Sequence, residues 1–350
     1  MKTHRKTVRA GVRAGAAAVA ASGPTTAPPP RWRALGAQVG VVAAAAAILY
    51  WGLASWSDLG SVAAVMRTFP APAVAAVAGL VLAGLALRAA RWQYYVHVLA
   101  LGIPAGPSLL AFVAGFAFTA TPGKAGEIVK SFLLRRRFGA RVSQTAGTLV
   151  VERVTDLLAV LLLAVAGMQA GVGQEWVLAV SALALAGAIA LLLSRRLQDA
   201  AVRFLGALPV LGRVTGALPA LLESSRALLA PGRLATGLGL AVAAWSCEAL
   251  ALGVVLDALG AAVPLGGAFF AFAAASLLGV LSMLQGGLGG FEASMVLVLG
   301  ELGAPPAAAV AATLLFRLGT LWAVSLLGLA ALGLWLAVFG RSSIVNGGSR

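Results

Sequence analysis

Gln285-Gly286-Gly287-Leu288-Gly289-Gly290-Phe291-Glu292 interrupts one apolar stretch, and Thr121-Pro122-Gly123-Lys124-Ala125-Gly126-Glu127 interrupts another far earlier in the chain. Each is a glycine-rich break after an apolar segment, and each ends on a glutamate. The match extends further. Arg153 follows Glu127 by 26 positions, Arg317 follows Glu292 by 25, and both arginines lie inside long apolar runs. Two breaks, two glutamates and two arginines at matching separations read as an internal repeat, with halves at about 70–167 and 234–339.

Composition decides what kind of fold repeats. Apolar residues make up 61% and charged residues 11%, against about 45–50% and about 25% in soluble domains. Water could not accommodate that apolar surface, but a bilayer can. Helices are the simplest way to satisfy the backbone there. The expectation is an all-α, polytopic membrane protein with about 6–8 transmembrane helices, each needing about 20 apolar residues. A single cysteine, Cys247, excludes an intramolecular disulfide, and two histidines, His4 and His97, give no metal-ligand cluster.

The net charge of +15 raises nucleic-acid binding, but its placement argues against it. Basic residues gather before the first span, at Arg88 and Arg91, at Lys124–Arg141, at Arg195–Arg233 and at the C-terminus; on the opposite side only Arg67 is basic. That asymmetry is the positive-inside pattern and predicts a cytoplasmic N-terminus. The basic face suits anionic lipid headgroups.

Residues 1–33 read as a disordered basic tail, 34–340 as one membrane domain and 341–350 as a short tail. Spans are expected at 34–56, 70–91, 144–167, 176–194, 234–257 and 306–339, with the second closing on interfacial Trp92, Tyr94 and Tyr95. Residues 195–233, basic with interspersed apolar positions, read as amphipathic helices on the cytoplasmic surface. The stretch 108–121 is too short to cross. With 124–138 it predicts a re-entrant hairpin from the cytoplasm, and 264–305 predicts a second from the other side. The halves are then inverted copies, an arrangement many transporters use.

Glu152-Arg153-Val154-Thr155-Asp156 lies about 9–13 residues into its span, roughly 14–20 Å deep at about 1.5 Å per residue. Arg317 sits at similar depth and needs an acidic partner, for which Glu127 and Glu292 are the candidates. Arg153 and Asp156, three apart, can pair. Such charges could merely join helices, but buried ion pairs add little net stability, and charges at membrane depth mark functional sites by default. Glu127, Glu152, Arg153, Asp156, Glu292, Arg317 and Lys124 therefore form the candidate substrate site. Pro122, Gly123, Gly126, Gly286, Gly287, Gly289 and Gly290 form the candidate hairpin gates, and Glu248 is a secondary candidate. The helix after each break would aim N–H groups at a lipid phosphate.

Taken together, P-G-K-A-G-E at 122–127, E-R-V-T-D at 152–156, G-G-L-G-G-F-E at 286–292 and F-R-L-G-T-L-W at 316–322 resemble the flippase-like membrane domain of bacterial lysylphosphatidylglycerol synthases. The similarity runs from about 33 to 340. Gln285 departs from the proline expected by analogy with Pro122. The resemblance implies a cytoplasmic-membrane protein that moves a phospholipid, glycophospholipid or polyprenyl lipid between leaflets. The soluble aminoacyl-transfer domain has no room in 350 residues, so neither synthase activity nor a cofactor is expected. Two other readings stand: an accessory subunit docking a lipid-linked glycosyltransferase, and a membrane enzyme acting on a lipid headgroup.

Overall fold

The computed structural model describes residues 59–119, 125–140, 142–168, 218–281 and 287–339, with scattered positions at 48–52 and 179–196. All lie in one unit, Val39–Arg350. Apart from those scattered positions, the expected spans at 34–56 and 176–194 fall outside the described residues, as do the N-terminal tail, most of the 195–233 linker and the tail from 340 onward.

Every described element is helical. In order they are α1 (Leu59–Arg67), α2 (Ala71–Val98), α3 (Ala105–Gly115, extended by a 3-10 turn at Phe116–Phe118), α4 (Ala125–Phe138) and α5 (Val142–Gly167). Then come α6 (Leu218–Leu228), α7 (Pro231–Ala258), α8 (Leu265–Leu281), α9 (Gly290–Glu301), α10 (Pro306–Arg317) and α11 (Ala323–Phe339). A π turn at Leu318–Trp322 joins the last two into one 34-residue helix. That helix, α2 and α7 are long and apolar enough to cross a bilayer. The 26-residue α5 has the length as well but carries Glu152, Arg153 and Asp156.

The repeat is visible in how the helices end. Proline starts α2 and α7, where its missing N–H costs nothing. Both helices are 28 residues long. Past their ends Ala100 (φ 48°) and Gly260 (φ 66°) turn left-handed. The next amides, Leu101 and Ala261, then donate back to the carbonyls of Val96 and Leu256 at 3.2 and 2.9 Å. This is the Schellman closure, built twice at positions n and n + 160. Pro104 and Pro264 then start α3 and α8 at the same spacing.

α2 and α7 pack along their lengths and run antiparallel. Tyr95, late in α2, lies against Gly237, early in α7, while Gly84 meets Ala244 at the crossing. Positions 84 and 244 differ by 160, so the crossing is a pseudo-twofold axis. The halves are also interlaced. α5 of the first half packs on α8 of the second, and α11 of the second packs on α3 of the first. Gly328 makes the latter contact possible, because a Cβ there would lie 2.5 Å from the Phe116 carbonyl carbon.

Each half contributes a pair of short helices, α3 on α4 and α8 on α9. Their entrances are opposed. Arg137, ending α4, stacks on Phe339, ending α11, so α3–α4 opens at the end where the long helix finishes. Gly167, ending α5, lies against Gly266 and Phe270, so α8 starts at the opposite end. Two expected boundaries change. The span expected at 70–91 runs on to Val98, and α7 begins at Pro231 inside the proposed surface linker.

Candidate functional site

Between the two short-helix pairs lies a cavity of about 460 Å³. Side chains from α2, α4, α5, α7 and α10 line it, with the walls closed by Phe112, Phe116, Phe272, Phe291 and Phe316. Five cations face it: Arg88, Arg91, Lys130, Arg153 and Arg317.

The network is built upward from α5. Asp156, 5% exposed, accepts from Arg91 Nη2 at 2.8 Å and from Arg153 Nη2 at 3.0 Å, and Trp245 Nε1 donates to it at 2.9 Å. Arg91 also donates to Thr155 Oγ1 at 3.0 Å. Glu152, one turn earlier, takes Lys130 Nζ at 2.9 Å. That ammonium lies 4.2 Å from the Trp92 ring centre and 5.4 Å from that of Phe112. Across the pseudo-twofold axis Arg88 Nη1 meets Glu248 Oε1 at 2.5 Å, and its guanidinium covers Trp245 at 4.4 Å.

The second glycine break holds the other half of the site. Gly289 turns left-handed (φ 86°), a conformation that favours glycine, and α9 starts from it. Its N–H donates to Glu292 Oε2 at 2.7 Å, the carboxylate half of a capping box. The other oxygen, Oε1, accepts from Arg317 Nε at 2.6 Å and from Tyr50 at 3.3 Å. Trp322 in turn donates to the Tyr50 hydroxyl at 3.2 Å. Glu292 is 0% exposed, so one buried carboxylate ties the break to the long helix. Gly287, left-handed at φ 70°, lies against the backbone of Gly279 in α8.

Of the residues anticipated from sequence, Glu152, Arg153, Asp156, Arg317 and Glu248 line the cavity, and Glu292 binds Arg317 from behind. Gly287 lines it too, and Gly289 and Gly290 start α9. Pro122, Gly123, Lys124 and Gly286 lie outside the described residues, and for Gly126 and Glu127, in the first turn of α4, only the backbone is described.

Sequence reasoning missed Arg88, Arg91, Lys130, Trp92 and Trp245. It assigned the first three to the cytoplasmic interface, yet Arg91 and Lys130 are 3% and 2% exposed. Trp92 and Tyr95, read as interfacial, are fully buried, and Trp92 Nε1 donates to Ser108 Oγ at 2.9 Å. One signal was present. Arg88 and Glu248 are repeat mates of opposite sign, 160 positions apart.

Comparison with known proteins follows the same outline. The family model described as Lysylphosphatidylglycerol synthase TM region matches residues 37–328. A UPF0104 membrane protein from Methanothermobacter thermautotrophicus is 27% identical over 322 residues, covering 84% of this chain and 93% of that protein. The apolar helices, the repeated glycine breaks and a match across 37–328 lead to one conclusion: the chain is a membrane protein of the lysylphosphatidylglycerol synthase TM region family.

Proposed function

We propose that this protein translocates a lipid between leaflets, admitting the polar headgroup to the central cavity while the acyl tails stay in the surrounding bilayer. One observation carries the reading. A cavity lined by five cations is entered by short-helix pairs from opposite ends of the bundle. Charges at that depth are costly against lipid tails and are explained by a polar occupant.

In this reading α3–α4 and α8–α9 are re-entrant hairpins that gate opposite leaflets, as in inverted-repeat transporters. Orientation follows from charge. Arg135–Arg137, Arg226 and Arg233 lie at or near the end where α4 finishes and α7 begins, while Arg67 ends α1. The basic end is the cytoplasmic one by the positive-inside rule, in a bacterial cytoplasmic membrane as the family resemblance suggests.

The test is leaflet exchange in vesicles. Purified protein is reconstituted with a trace of fluorescent phospholipid, and the fraction bleached by external dithionite is followed with time. Bleaching beyond the outer-leaflet half, well above protein-free vesicles and slowed at least about tenfold (about 1.4 kcal/mol in barrier) by Arg153→Ala, supports the reading. Rates equal to empty vesicles overturn it.

A further inference from the structure

Three helices pack as a group. Among the described residues, α11 lies on α3 and its 3-10 turn, α4 lies on the same two segments, and the group meets the remaining bundle chiefly at α2 and α5. Contacts inside the group are close. Gly328 abuts the backbone of Phe116 and Ala117, and Arg137 of α4 covers Phe339 of α11 at 5.7 Å. Backbones that approach this closely move together, because dense packing resists shear.

The seam toward α2 and α5 is polar instead. Trp92 Nε1 of α2 donates to Ser108 Oγ of α3 at 2.9 Å. Lys130 of α4 reaches Glu152 Oε2 of α5 at 2.9 Å, with its ammonium 4.2 Å from the Trp92 ring centre. Lys130 and Glu152 are buried, and both line the cavity. Water entering from there can take over such contacts at little cost, so this seam can part where the group's interior cannot.

The long helix supplies a joint. The π turn at Leu318–Trp322 stands between α10, tied to α9 by Arg317 and Glu292, and α11, packed on α3. In it Ala323 N–H donates to the Leu318 carbonyl five residues back, and Thr320 Oγ1 donates to the Phe316 carbonyl at 2.9 Å. Such turns interrupt the α ladder and let long helices bend. α5, its counterpart in the first half, is α-helical throughout. The geometry points to α3, α4 and α11 as one moving body, which swings about the π turn and is latched shut by Lys130 between Glu152 and Trp92. α8 and α9, held to α10 by Glu292 and to α5 at Gly167, stay with the rest. In the translocation reading, on which the purpose of this movement rests but not its geometry, releasing the latch opens the cavity on the α3–α4 side.

The test measures distances between spin labels on the full chain in nanodiscs, in a Cys247→Ala background. Leu334 stands 12 residues past Trp322, an arm of about 18 Å, so a swing of about 20° carries it about 6 Å. Labels at Leu82 on α2 and Leu334 on α11 report the seam. Ala105 on α3 with Leu326 on α11 reports the body, and Leu82 with Leu297 on α9 reports the remainder; all these positions are exposed. Lys130→Leu with Glu152→Leu removes the latch and strands no charge. The Leu82–Leu334 distance is expected to shift or broaden by at least about 5 Å, with the other two pairs steady to within about 2 Å. Lys130→Arg, which keeps a cation over Trp92, is expected to retain the parent distribution. Amide exchange at the π turn is expected to quicken at least about tenfold in the double variant, and that of α5 to stay as it was.

A Leu82–Leu334 distance unmoved by the double change overturns the latch. An equal shift in Ala105–Leu326 overturns the single body, one in Leu82–Leu297 overturns the fixed remainder, and unchanged exchange at the π turn overturns the joint. Parent protein decides the matter should the double variant not fold. There the Leu82–Leu334 distribution is expected to be at least about twice as wide as the Leu82–Leu297 one, and equal widths overturn the moving body. Latch release in a protein that shows no leaflet exchange sustains the moving body and overturns only the translocation reading.

Discussion

Removing the Glu292 carboxylate tests whether the second glycine break is held by charge. Glu292 is 0% exposed, and its partner Arg317 is 7% exposed. Glu292→Leu strands that guanidinium and removes the acceptor of the Gly289 amide. Breaking one side of a buried pair costs about 3–5 kcal/mol, and the lost cap adds about 1 kcal/mol. At about 2 °C per kcal/mol for a chain of this size, the apparent melting temperature in detergent should fall by roughly 8–12 °C, read by intrinsic tryptophan fluorescence. The second perturbation carries the discrimination. Glu292→Leu with Arg317→Leu removes both charges, and such replacements are near neutral or stabilising. The double variant should recover most of the lost stability yet lose leaflet exchange. A single variant falling by under about 2 °C, or a double variant melting as low as the single, would refute the reasoning.

The remaining tests address packing, symmetry and access. Gly328→Ala drives a Cβ into the backbone of Phe116 and Ala117, so it should cost about 1–3 kcal/mol, whereas Gly333→Ala, with nothing within 4 Å, should be neutral in the same melt. Gly237→Ala collides with the Tyr95 hydroxyl; Tyr95→Phe should recover part of that loss. Exchanging charges, Arg88→Glu with Glu248→Arg, should restore at least half of the stability that Arg88→Glu alone removes, since like charges across the axis repel; no recovery would deny the pairing. In a Cys247→Ala background, Arg153→Cys should react with water-soluble thiol reagents, because the native side chain is 38% exposed, and Leu134→Cys, at 0%, should not.

How much of this was legible in the sequence depended on whether a residue had a counterpart to compare with. Glu292 and Arg317 stood out because the first half repeats their spacing, and the structure joins them. Arg153 and Asp156 stood out by depth, and their separation of three predicted the contact found at 3.0 Å. Arg88, Arg91 and Lys130 were lost to a different rule. Basic residues near helix ends are normally read as interfacial, and Trp92 and Tyr95 beside them read as an interfacial belt. The helix runs on past them to Val98, which moves Arg88, Arg91 and both aromatic side chains inward, while Lys130 stands on α4. No local pattern announced that extension, because the Schellman closure falls on Ala100, an alanine in a left-handed position usually given to glycine. The interlacing of α5 with α8 and of α11 with α3 was likewise invisible, since it depends on small residues such as Gly328 meeting backbone far away in the chain.

The opposite signs of Arg88 and Glu248 bear on how such a molecule assembles. Two copies of the first half, docked about the same dyad, would place arginine against arginine; two copies of the second would oppose glutamates. Each half therefore discourages its own duplicate and accepts its complement. Severed in the 169–217 connection and produced as separate polypeptides, the pieces should find one another rather than form twinned assemblies.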